Sequence, residues 1–185
     1  TFNQDNTAWL RDNCIYAIHE DCEGNLMLGT WKGVSVMYNN YKGQYLTNPD
    51  IHGIINDAHI RHIIQDRKGN YWLSSKNKGL LCLYGNVHNP ASLQIKVYNR
   101  TIDSSRQIME VYRTIEDYNG HIWVCSDAGL MLYDCDSDGF MVMNERLGIP
   151  YDIRSIETDE ENRLWLSSPH AIIRLSLTKQ FEVTS

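Results

Sequence analysis

The chain has 185 residues, which at ~150 residues per domain makes one domain or one piece of a larger one. Charged residues are 22% and the net charge is −6, which argues against a basic nucleic-acid surface and against a polybasic membrane patch. An apolar share of 42% with 11 Tyr and 5 Trp excludes a disordered chain, and no run of roughly 18 apolar residues offers a membrane span.

Thr1 is followed by no charged-then-apolar leader, so any export signal is expected upstream of this stretch. The first patterned element is Ile15 to Thr30, continued by Lys32-Gly33 and an apolar run to Tyr38. The same pattern returns at Ile60 to Ser75 with Lys78-Gly79 to Tyr84. It returns again at Val111 to Ser126 with Ala128-Gly129 to Tyr133, and at Ile153 to Ser168 with His170-Ala171 to Leu175. The anchors are Asp21, Asp66, Asp117 and Asp159, separated by 45, 51 and 42 residues. Six residues before each stands an aliphatic side chain: Ile15, Ile60, Val111 or Ile153. Six after stands Met27, Trp72, Trp123 or Trp165. The variable spacing falls mostly outside this core, where loops absorb length cheaply.

Each unit reads as four short strands. Asp-x-x-Gly is a tight turn in which Asp bonds back to the backbone and Gly supplies a positive φ. A second apolar run follows, then a turn at Gly33, Gly79 or Gly129, then a third run. Weaker fourth runs are expected at Gln44 to Leu46, Leu93 to Tyr98, Phe140 to Met143 and Gln180 to Val183. Four-stranded antiparallel units of ~40–50 residues with a Trp in the second strand are propeller blades. The expected class is all-β, with blades over about 12–46, 57–98, 108–143 and 150–184 of a single propeller fragment spanning 1–185.

The pattern Ile/Val-x-x-Ile-x-Glu-Asp-x-x-Gly-Asn-Leu-Trp-Leu-Gly-Thr, then Gly-Leu and a closing Tyr, resembles the two-component regulator propeller repeat. Met27, Asn162 and Ala171 depart from it. The resemblance covers roughly residues 12–184. It implies a partial propeller cut from a seven-bladed ring, part of the periplasmic sensor region of a membrane-anchored hybrid histidine kinase that senses oligosaccharides. The alternative is a closed four-bladed ring. An open stack leaves apolar faces uncovered, and repeat arrays need caps. End-to-end self-association is therefore expected.

Cysteines 14, 22, 82, 125 and 135 include no C-x-x-C pair, which speaks against a zinc ribbon or a thioredoxin-type site. Cys82 and Cys125 lie in apolar runs and read as core residues. Cys14, Cys22 and Cys135 lie near turns, with a disulfide among them left open.

No nucleophile elbow, phosphate loop or H-E-x-x-H occurs. One chemical motif is complete: Asp134-Cys-Asp136-Ser-Asp138-Gly139, then five residues and Glu145. Alternate carboxylates on a tight loop suit Ca2+, although the flanks read as strands rather than the helices of an EF-hand. The competing reading is a polar hairpin with Asp138-Gly139 as a type I′ turn. No other cofactor is expected.

A ligand is expected where the loop between second and third strands meets the loop leading into the first. That face gathers Trp31, Lys32, Lys78, Asp127 and His170, and adds His52, Asp57, His59, Arg106 and Tyr151, with Asn56, Asp152 and Arg154 nearby. Aromatic plates beside such donors and acceptors suit a sugar ring, with Trp31 the leading candidate. The alternative for Trp31 is packing against a neighbouring blade. A non-catalytic sensor is the reading this supports; a propeller lyase or glycosidase needs a converging acid, base or metal, and an interaction scaffold also fits the fold.

Overall fold

The computed structural model describes residues 1–184. Within them, sixteen strands form four antiparallel four-stranded sheets, each a meander in sequence order. Blade one holds β1 (Ile15–Glu20), β2 (Leu26–Thr30), β3 (Gly33–Met37) and β4 (Gly43–Tyr45). Blade two holds β5 (Ile60–Gln65), β6 (Tyr71–Ser75), β7 (Leu80–Tyr84) and β8 (Gln94–Tyr98). Blade three holds β9 (Val111–Glu116), β10 (Ile122–Ser126), β11 (Gly129–Asp134) and β12 (Gly139–Val142). Blade four holds β13 (Ser155–Thr158), β14 (Leu164–Ser167), β15 (Ile172–Leu177) and β16 (Val183–Thr184). Two one-turn helices, α1 (His52–Ile55) and α2 (Asn144–Leu147), occupy connections.

The anchor aspartate builds the first hairpin of every blade. One carboxylate oxygen accepts the backbone N–H groups two and four residues on, at 2.8–3.2 Å in all four blades. The residue three after the anchor takes a positive φ: Gly24, Gly69, Gly120, and Asn162 at 58° where glycine is absent. Asparagine tolerates that left-handed conformation better than most residues, so the turn survives the substitution. The second carboxylate oxygen receives the tryptophan indole six residues on, at 2.9 Å for Trp72, 3.1 Å for Trp123 and 2.7 Å for Trp165. Blade one has Met27 there, and the Tyr71 hydroxyl of blade two donates to Asp21 instead, at 2.8 Å.

Alternation along the strands sends one face to the next blade and the other to the preceding one. Met27, Val34 and Val36 meet Tyr71, Leu73 and Leu81 in the first joint. Trp72, Leu80 and Cys82 meet Ile122, Val124 and Met131 in the second. Trp123, Leu130 and Leu132 meet Ile156, Leu164 and Leu166 in the third. At Gly29 an added Cβ would stand 2.7 Å from Ile60, so only glycine permits that approach.

The first strands lie side by side, β1 by β5, β5 by β9 and β9 by β13. Among the described residues β13 and β1 do not pack in this way, so the blades form an open arc. Ile18 on blade one is 68% exposed, and Trp165 and Ile172 on blade four are 39% and 78% exposed. Ser35, which points away from the first joint, donates to the Trp9 carbonyl at 2.8 Å, so the N-terminal segment crosses the far side of blade one.

Two local expectations change. The last strand is Val183–Thr184 rather than Gln180 to Val183, because the Thr178 hydroxyl accepts the N–H groups of Gln180 and Glu182 and holds the intervening residues as a turn with Phe181 at positive φ. The β11–β12 hairpin closes through four residues, 135–138, with Asp138 at φ 47°, not through a two-residue Asp138-Gly139 turn. All five cysteines are free thiols, with Cys82 and Cys125 buried.

Candidate functional site

The register of the first hairpins shows a recurring irregularity. In blade one the pairing steps from Ile15 to Ala17 and skips Tyr16. In blade two it steps from Ile60 to His62 and skips Arg61; in blade three it skips Tyr112. These are β-bulges at one equivalent position, five residues before the anchor aspartate. The fourth equivalent, Arg154, stands just before β13 with its N–H on the Ser167 carbonyl at 2.7 Å. A bulge bends the strand and re-aims the extra side chain.

The re-aimed side chains meet one another across blades. Arg154 lies over the Tyr112 ring at 4.5 Å and Arg61 approaches the same ring at 5.9 Å. Arg61 also pairs with Glu110 at 2.9 Å. Tyr16 stacks on Trp31 at 5.7 Å, and Trp31 stacks on His59 at 5.2 Å, both nearly parallel. A small cavity of about 70 Å³ joins Tyr16, Trp31, His59, Arg61 and Lys76. The face therefore carries a three-ring stack leading into a cation–aromatic row.

Below this row two histidines join blades as hydrogen-bond acceptors. His19 accepts the Gln65 N–H at 3.1 Å and His62 accepts the Thr114 N–H at 3.4 Å. Both roles require a neutral ring. Burial, with Arg113 and His19 adding to it, pushes His62 down to about 4. Burial also lowers His19, against the pull of Asp21.

The sequence-derived candidates fall into two groups and several singles. Trp31 and His59 come together in the stack, and both faces of the Trp31 ring are covered, leaving its edge to solvent. Arg106 lies over Tyr151 at 4.3 Å, and the Tyr151 hydroxyl donates to Glu145 at 3.1 Å. This second group lines a separate cleft of about 450 Å³ with Ile102 and Met141. Lys32 reaches Asp12 at 3.8 Å. The His52 ring contacts the Asn56 amide at 2.7 Å, and the Asp57 carbonyl accepts from Asn77. The N–H groups of Lys78 and His170 turn back on Ser75 and Ser168, and Asp127 accepts the Met109 N–H. None of these six joins the stack. Tyr16, Arg61 and Tyr112 escaped the sequence reading. Their signal was the position five before each anchor, occupied by Tyr, Arg, Tyr and Arg and never by an aliphatic residue.

The carboxylates of the calcium-type motif are engaged with separate partners. Asp138 is bonded by the Tyr98 and Tyr133 hydroxyls at 2.8 and 2.7 Å and by Lys96. Lys96, then the two tyrosines, hold its carboxyl down at about 2. Glu145 sits on α2 and faces Tyr151, while Asp134 accepts the Asp136 N–H. Among the described residues no three His, Cys, Asp or Glu side chains come together to hold a metal. No described helix is long and apolar enough to cross a membrane.

No family model matches the sequence, and no curated protein matches it. Solved structures do resemble the fold. The extracellular domain of BT3049 from B. thetaiotaomicron, named as a hybrid two-component system, gives a TM-score of 0.70 at 22% identity over 92% of this chain and 22% of that one. PorZ of Porphyromonas gingivalis, a surface component of the type-IX secretion system, gives 0.73 at 19% identity over 95% and 28%. Virginiamycin B lyase from Staphylococcus aureus gives 0.61 at 16% identity over 92% and 54%. The chain thus spans about a quarter of the first two and about half of the third. What they share with it is the β-propeller fold that the repeat implies.

Proposed function

We propose that this chain is part of a non-catalytic, extracytoplasmic sensor module of a two-component signalling protein, and that it binds an oligosaccharide on the face carrying Tyr16, Trp31 and His59. The observation that carries the reading is the continuous row from this stack through Arg61 and Tyr112 to Arg154. With both Trp31 faces covered, the exposed Tyr16 ring at the end of the stack offers the flat apolar surface, and guanidinium groups offer fixed donor forks. A sugar presents matching surfaces. The fold-level likeness to an extracellular domain named for two-component signalling supports the sensing role.

In this reading the whole protein stands in the periplasm, anchored in the inner membrane, and passes ligand occupancy to a histidine kinase. The uncovered face of blade four makes contact with a further blade or a second copy. Isothermal titration against a panel of glycan fragments tests the binding role. Saturable heat with unchanged glycan is expected, and Trp31→Ala should weaken it. Turnover of any fragment would move the protein to the lyases or glycosidases, and silence across the panel would count against glycan sensing.

A further inference from the structure

We infer that the bulged row Tyr16, Arg61, Tyr112 and Arg154 reads a carboxylate-bearing oligosaccharide, such as a short uronic-acid oligomer. This rests on the oligosaccharide reading above and narrows it to a ligand class. Three observations combine.

The first is the repetition of an irregular backbone feature. Three hairpins skip the same register position; Tyr16 and Arg61 stay outside the three joint cores, and Tyr112, partly buried, packs only against the margin of the third. The residues on either side behave otherwise. Ile60, Val111 and Ile153 before it are fully buried, as are Ile63 and Ile156 after it. A bulge repeated at a position outside the fully buried cores serves what the side chain reaches.

The second is the chemistry at that position. Tyr and Arg alternate along the arc, and the arginines bracket the Tyr112 ring. Arg61 is countered by Glu110, but Arg154 forms no ion pair among the described residues and is exposed. Lys76, also exposed, lines the cavity under Trp31. The remaining acid beside the row, Asp127, faces the Met109 backbone N–H. The row therefore ends in an exposed guanidinium over an aromatic ring with no carboxylate partner among the described residues, an arrangement suited to a planar carboxylate.

The third is spacing. The four positions lie one per blade, three on adjacent first strands and Arg154 just before the fourth, so a ligand spanning them must be a chain of repeating units rather than a single ring. Aromatic positions meet ring faces and arginine positions meet acidic substituents.

Titration of the intact chain with tetragalacturonate and, separately, with cellotetraose tests this. Tetragalacturonate is expected to bind at least about tenfold more tightly, with an affinity that falls as salt rises. Arg154→Gln should weaken tetragalacturonate binding about tenfold, flatten the salt dependence and leave the melting temperature unchanged, because Arg154 is exposed. Tyr16→Ala, a second exposed position, should weaken binding too. Equal or tighter binding of cellotetraose would overturn the acidic class while keeping the sensing role. Tetragalacturonate binding that ignores Arg154→Gln and Tyr16→Ala would overturn the location. Silence with both sugars, and with the wider panel, would remove the sensing reading and this inference together.

Discussion

Trp123 and Trp165 are the same residue of the same repeat. Each donates its indole N–H to the anchor aspartate six residues earlier, at 3.1 and 2.7 Å. Trp123 is fully buried in the joint between blades three and four, whereas Trp165 is 39% exposed. The clasp is thus a local product of the hairpin, and burial is supplied by the neighbour. The same holds for a recurring bond between blades. Cys22 donates its N–H to Gln65, Arg67 to Glu116, and Tyr118 to Asn162, each to the following blade. Glu160 is the next in that series and has no acceptor among the described residues. An inner blade and a terminal blade share their folding instructions and differ in what covers them.

The sharpest way to break this comparison is truncation. Trp123→Ala should cost about 3–5 kcal/mol of stability, the usual cost of emptying a packed aromatic site. Urea unfolding followed by circular dichroism measures it. Next comes the clasp: Asp117→Ala strands a buried indole N–H and two turn N–H groups, for a loss of roughly 2–3 kcal/mol in the same assay.

Acid should act on the inner joints third. His62 is held down to about 4, below its ordinary 6.5, so the unfolded chain takes up the proton first as pH falls. Its contribution is therefore complete above about 6.5 and is lost progressively toward 4. Melting temperature measured across that window should fall, and His62→Gln should flatten the fall. A melt independent of pH between those values would remove His62 from the joint's energetics.

The smallest expected stability effect lies at the uncovered end. Trp165→Ala should cost only roughly 1–2 kcal/mol, since much of the ring is already in water. Its larger effect is on association. Sedimentation velocity of the intact chain should show concentration-dependent oligomers, and Ile172→Glu should return the monomer. A wild-type chain that stays monomeric at high concentration would show that the blade-four face does not pair with itself or with blade one.

The sequence carried the repeat far. The anchor aspartates, the turn glycines and the aliphatic–Trp spacing were enough to place hairpins, because each rests on contacts within a few residues. The Asp–Trp clasp was latent in the six-residue spacing but invisible as a bond. At Asp134 to Glu145 the motif could not show the partners of Asp138, because Lys96, Tyr98 and Tyr133 come from β8 and β11 and include residues remote in the chain. Trp31 stands in the turn after β2, and its partners are Tyr16 of its own blade and His59 at the entry to blade two, a meeting no local pattern shows.

By itself, then, the sequence determined the blade: turn chemistry and two-residue alternation are local, and they repeat with the residues that encode them. Tertiary structure decided which faces are covered, which carboxylates are already neutralised, and that three bulged side chains and Arg154 form one row. Those outcomes depend on distances between residues some 45 positions apart, set by how one blade stacks on the next rather than by any segment's own preference.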